Sequence, residues 1–125
     1  MKKLLAWAVV LFSSAVSYNA AAAGNINNGK GLVEKFNCAS CHGKDFNSPI
    51  DPTYPKLAGQ HQDYLAQALI SYRRGDGPNG RANAIMVGQV NRPAANGKVE
   101  ALSNQEIQDI AAYLHGLPGS LVVKK

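Results

Sequence analysis

The chain has 125 residues, 46% of them hydrophobic, with 13 lysines and arginines against 8 aspartates and glutamates. That length sets one domain with a thin core. The formal charge of +5 comes with no basic stripe of interleaved aromatics, which excludes a nucleic-acid binder, and two cysteines allow one paired site with no thiol left over.

The chain opens on Met1-Lys2-Lys3, followed by an almost wholly apolar run from Leu4 to Val16. Asn19-Ala20-Ala21-Ala22-Ala23-Gly24 then offers small residues where a signal peptidase cuts. The apolar run is shorter than the roughly 20 residues of a spanning helix, and Ser13, Ser14, Ser17, Tyr18 and Asn19 dilute its second half. A cleaved signal peptide over residues 1–23 is therefore expected, leaving one domain over 24–125. Without Lys2 and Lys3 the chain keeps 11 basic and 8 acidic residues, a balance that says little about partners.

A first helix is expected from about Asn28 to Asn37, with Leu32, Val33 and Phe36 as its apolar stripe. Gly29 and Gly31 are poor helix formers. Such a glycine marks either a close approach by another helix or a frayed first turn. The helix leads directly into Cys38-Ala39-Ser40-Cys41-His42. Cys-x-x-Cys-His is the attachment signature of c-type haem. Each sulfur adds to one vinyl group, the two-residue gap lets both reach the same ring edge, and His42 stands next in line to ligate iron. Three other readings compete. A dithiol redox centre wants a strand before the motif and a βαβ context. A zinc site wants four ligands, and His61 and His115 fall in no finger-like spacing. A plain disulfide is the third.

A loop from Gly43 to Gly59 carries Pro49, Pro52 and Pro55. A second helix is expected from about His61 to Arg74, with Tyr64, Leu65, Ala68, Leu69 and Tyr72 on one face. Gly75 stops it, and Arg73 and Arg74 suit the negative end of its dipole. The stretch from Gly75 to Leu102 is long for a loop in so small a domain, and wrapping a haem face would account for it. It holds Met86, the one methionine beyond the expected signal peptide. The flank of Met86 looks loop-like, and the residue lies far enough downstream of His42 to reach the opposite haem face. A thioether favours Fe(II), so Met86 is the expected second ligand, with His61, His115 or an open iron as the alternatives. Ser103-Asn104-Gln105-Glu106 reads as a capping box, opening a third helix with Ile107, Ile110, Ala111 and Leu114 buried and Gly116 and Pro118 at its end. No segment alternates like a strand, so the fold class is all-α.

These residues resemble the class I cytochromes c, in particular small bacterial periplasmic monohaem members and single halves of their dihaem relatives. The resemblance rests on Cys38 to Gly43, Tyr54-Pro55-Lys56-Leu57-Ala58-Gly59-Gln60, Tyr64-Leu65, Met86, Leu102-Ser103 and Ile107 to Leu114, in family order over nearly all of residues 24–125. It implies a small cytochrome c fold with helices packed around one haem c held through Cys38 and Cys41. His42 and Met86 would be the iron ligands, the Pro55 carbonyl would accept a hydrogen bond from His42 Nδ1, and Leu57 would pack on the haem. Gly29 and Tyr113 would sit where the first and last helices cross. One of Arg73, Arg74 and Arg81 would neutralise a propionate, and Lys44 or Lys56 would mark the exposed haem edge. The implied role is a periplasmic electron carrier, not an enzyme, meeting redox partner proteins transiently. The alternatives are an electron-accepting subunit of a periplasmic dehydrogenase or oxidase complex and a five-coordinate haem that binds gas or peroxide. The chain departs from the family in Asn91 to Glu100, a longer and more polar stretch than the pattern has, readable as a partner-binding insertion or a tolerated surface loop.

Overall fold

The computed structural model of the protein describes residues 23–120. The signal peptide expected over residues 1–23 lies outside these but for Ala23. The described residues form five helices and one short hairpin: α1 (Ile26–Lys35), α2 (Ala39–His42), α3 (Gln62–Arg74), α4 (Ala84–Val90), β1 (Asn91–Pro93), β2 (Val99–Ala101) and α5 (Asn104–Gly116).

Helix α1 begins at Asn25, whose side chain accepts the Asn28 N–H. It buries Gly29, Leu32 and Val33 against α5. The crossing is close because Gly29 has no side chain. A Cβ there would lie 2.0 Å from the Asp109 carbonyl oxygen and 2.9 Å from Tyr113 Cβ. Asp109 itself is 1% exposed. Its carboxylate accepts from Asn25 N at 2.7 Å, Asn28 Nδ2 at 2.5 Å and Gln105 Nε2 at 2.8 Å. Burial pushes this carboxyl up, and those three donors outweigh it, so the group ends below the usual aspartate range.

Helix α5 carries the complete capping box. Ser103 Oγ accepts from Glu106 N at 3.2 Å and Glu106 Oε2 accepts from Ser103 N at 2.8 Å. Its buried stripe, Ile107, Ile110, Ala111 and Leu114, meets α1 on one side and α3 on the other. Together with Leu32, Phe36, Leu65 and Val90 it makes one core cluster.

Two elements depart from the sequence reading. Met86 lies in a helix, α4, with Asn83 as its cap. Asn91 to Glu100 is most of a two-stranded antiparallel hairpin with Arg92 opposite Glu100. The strands are three residues long and β2 is exposed throughout, so neither offers an alternation to read.

Candidate functional site

The site starts from how α1 ends. Asn37 takes a left-handed conformation (φ 51°), and Cys38 N bonds Val33 O while Asn37 N bonds Glu34 O. This Schellman arrangement stops the helix and turns the chain at once into α2. Cys38, Cys41 and His42 then fall at i, i+3 and i+4 of a single helical turn, closed by a His42 N to Cys38 O bond of 3.1 Å. That spacing puts all three side chains on one side of the turn. Gly43 (φ 85°) ends it, and a Cβ at Gly43 would lie 2.2 Å from the Ser48 carbonyl oxygen. Both cysteines are half-buried and form no disulfide with each other. Before haem is attached, burial pushes the Cys38 thiol up to about 11, against the pull of the nearby Arg92 charge.

The loop after the turn folds back on buried Phe46 (φ 55°), whose carbonyl accepts from both Leu57 N at 2.8 Å and Ala58 N at 3.1 Å. Ile50 N also donates to Cys41 O at 3.1 Å. These ties bring the Pro55 carbonyl oxygen to 2.9 Å from His42 Nδ1. A carbonyl can only accept, so Nδ1 carries the proton and Nε2 keeps its lone pair. The imidazole is 7% exposed, with the Tyr54 ring centred 6.3 Å away and tilted by 50°.

Opposite this wall stand α3 and α4. The α3 stripe expected on one face, Tyr64, Leu65, Ala68, Leu69 and Tyr72, lines a cleft, with Leu65 at the same time buried in the core cluster. Met86 is half-buried in the same lining. Asn83 Oδ1 accepts the Met86 N–H at 3.0 Å, and Asn83 O accepts the Val87 N–H at 2.9 Å, so the cap sets the backbone at Met86 itself. The cleft encloses about 1420 Å³ of empty space, its open mouth included, and Cys38, Cys41, His42, Pro55, Leu57 and Met86 all line it.

Among the described residues, its charged lining residues are Lys56 and Arg81. Arg81 stands 5.7 Å from the Tyr64 ring centre and 5.4 Å from that of Tyr72, and hydrogen bonds to the two phenols raise its already high pKa further. Arg73 is committed elsewhere, to Leu102 O at 2.6 Å and Asn104 Oδ1 at 2.7 Å. Arg74 is exposed and outside the lining. His61 and His115 also lie outside it; His61 stands at the N-cap position of α3 without a side-chain cap bond, and His115 Nδ1 sits 2.8 Å from the Gln60 carbonyl oxygen. Lys44 borders a separate shallow groove.

This donor set suits a haem. Two thiols on one turn, an imidazole with a free Nε2 and a thioether converge on a largely apolar cleft. An arginine at that cleft matches a carboxylate-bearing ligand. Sequence reasoning gave Tyr54 no role of its own and did not single out Asn83 or Arg92. Asn83 was findable, as an N-cap residue just before an apolar run.

A model of the cytochrome c family matches residues 26–118. The chain is 35% identical over 115 residues to cytochrome c4 of Stutzerimonas stutzeri, covering 90% of this chain and 50% of that protein. It is 35% identical over 81 residues to a thiosulfate dehydrogenase electron acceptor from Stutzerimonas stutzeri strain A1501, covering 65% of this chain and 32% of that one. The crystal structure of reduced recombinant cytochrome c4 from Pseudomonas stutzeri superposes with a TM-score of 0.59 at 35% identity, over 79% of this chain and 48% of that chain. The chain thus spans about half the length, or less, of these relatives.

Proposed function

The chain belongs to the cytochrome c family and carries one haem c through Cys38 and Cys41, and on that premise we propose that it is a periplasmic carrier of single electrons with His42 and Met86 as its iron ligands. The observation that carries this reading is the convergence of Cys38, Cys41, His42 and Met86 on one cleft, with the His42 tautomer fixed by Pro55. The bound haem supplies an iron that accepts and returns one electron. The protein's own part is to hold that iron still. Pro55 keeps His42 Nδ1 protonated and makes Nε2 a stronger donor. Met86 gives a soft ligand that favours Fe(II). Leu57, Leu65 and Leu69 exclude water. Arg81, which lines the cleft, rather than Arg73 or Arg74 would hold a propionate. With His42 and Met86 both holding the iron, no site would be left for a substrate, which fits a carrier better than an enzyme.

Docking of donors and acceptors would be brief, as in redox encounters generally. A second reading, an electron-accepting subunit of a periplasmic dehydrogenase complex, is favoured by the relative named as a thiosulfate dehydrogenase electron acceptor. Co-purification with a dehydrogenase at fixed stoichiometry separates it from the free carrier.

The test is an optical spectrum of the purified protein, oxidised and then reduced. A sharp reduced α-band and a weak far-red band in the oxidised form are expected of low-spin His/Met iron. A high-spin spectrum that shifts with carbon monoxide would mean an open iron, and the carrier reading would fall.

A further inference from the structure

Helix α4 has seven residues and a glycine inside it, so it cannot hold its own shape in water. Its position therefore depends on what ties it down, and the ties near its C-terminal end come from Asn91 and Arg92, in the stretch that departs from the family pattern, and from Leu102 just beyond it. Leu102 N donates to Val90 O at 2.9 Å, and Asn91 Nδ2 donates to Arg73 O at 3.1 Å. Arg92 reaches furthest. Its guanidinium donates to the carbonyl oxygens of Phe36 and of Lys35 (3.4 Å), to the side-chain oxygen of Gln89, and stacks 4.7 Å from the Phe36 ring centre. Phe36 and Lys35 end α1, two and three residues before Cys38. Gln89 lies three residues after Met86, on the same face of α4.

Resting on the assignment of Met86 as the sixth ligand, we infer that Arg92 is a positioning residue for it: one guanidinium clasps the Met86-bearing helix to the segment that delivers Cys38. The chemistry suits the task. The last carbonyls of α1 carry the negative end of its dipole and lack helical donors, so a cation is favoured there. Arginine has five donors in a rigid fork, enough to serve α1 and α4 together. The hairpin that carries Arg92 is then a strut that holds the distal side of the cleft at a fixed distance from the attachment side. Opening α4 requires breaking the Gln89 arm of the clasp, so the clasp governs how readily Met86 leaves the iron.

The test titrates imidazole into the oxidised holoprotein and follows displacement of Met86 by loss of the far-red band. Arg92→Gln is expected to raise imidazole affinity about tenfold, the worth of one hydrogen bond to a charged group. It should also lower the midpoint for thermal loss of the far-red band by more than it lowers the helical circular-dichroism midpoint. Gln89→Ala cuts only the α4 arm and should move both readouts the same way. Arg92→Lys keeps the charge and a donor and should recover most of the loss. Unchanged imidazole affinity in Arg92→Gln and Gln89→Ala would overturn the clasp, as would a far-red loss that merely tracks global unfolding. If Arg92→Gln does not accumulate as holoprotein, Gln89→Ala decides alone. Met86→Ala separates the two levels: if it leaves the far-red band intact, the ligand assignment itself fails and the clasp with it.

Discussion

Pro55 offers a carbonyl oxygen and no N–H, so the group facing His42 can only accept. The Phe46 carbonyl holds Leu57 and Ala58 in place behind it, and the imidazole inherits that rigidity. Met86 has a different support, a backbone N–H capped by Asn83. Met86→Ala is expected to lower the reduction potential by more than about 100 mV, within the ~0.8 V that axial ligands command. It should also admit exogenous ligands, and potentiometry with carbon monoxide binding checks both. The attachment residues were legible because chemistry forces their spacing. Met86 was nameable by elimination, as the one thioether beyond the expected signal peptide. Its helix was not, because a seven-residue segment interrupted by Gly88 shows no periodic face. Arg92 was invisible for another reason: its partners are main-chain oxygens of Lys35 and Phe36, which any residue type would provide.

At the scale of elements, the α1–α5 crossing is the firmest part of the fold. Asp109 anchors it by accepting from the N-terminal turn of α1 and from Gln105. Asp109→Ala should cost about 2–3 kcal/mol, because it leaves donors unpaired in a closed crossing, and urea unfolding at pH 7 measures the loss. The depressed carboxyl also gives the crossing a pH dependence. Its contribution is complete above the ordinary aspartate value of about 4 and is lost as pH falls through the lower folded value. Asp45 and Asp51 are depressed as well, by hydrogen bonds from Asn47 and Ser48 and from Thr53 respectively. The wild type should therefore lose stability on acidification, and the Asp109→Ala variant should lose less. Helices α1, α3 and α5 were readable from stripes and stops. What the α3 stripe faces was not, since periodicity reports an apolar face and not whether protein or a prosthetic group covers it.

On the scale of the molecule, the core and the cleft share walls. Leu65, Val90, Leu102, Ile110 and Leu114 belong to the buried cluster and also line the cleft. A domain of this size has little other apolar surface to bury. The double variant Cys38→Ala, Cys41→Ala is therefore expected to lack covalent haem and a cooperative thermal transition. A haem stain after denaturing electrophoresis and a circular-dichroism melt test both parts, and a stable haem-free fold would contradict the shared-wall account. Family and fold were legible because the haem motif, the Pro-x-Leu-x-Gly-Gln element and the capping box occur in order. The hairpin was not, because its strands are three residues long and the bonds of Arg92 and Asn91 that tie it to the rest of the fold go to distant main-chain oxygens.

Gly29 meets Asp109 across most of the sequence, and that separation bears on synthesis. Until α5 has left the ribosome, α1 has nothing to cross, and closing so long a loop comes late in folding. The Cys38–His42 segment is by contrast local: its residues are neighbours in sequence, and the bonds of its turn span only a few residues. A chain not yet closed by the α1–α5 crossing therefore presents Cys38, Cys41 and His42 close together on an open backbone, accessible to haem before the far end of the protein can shut the cleft.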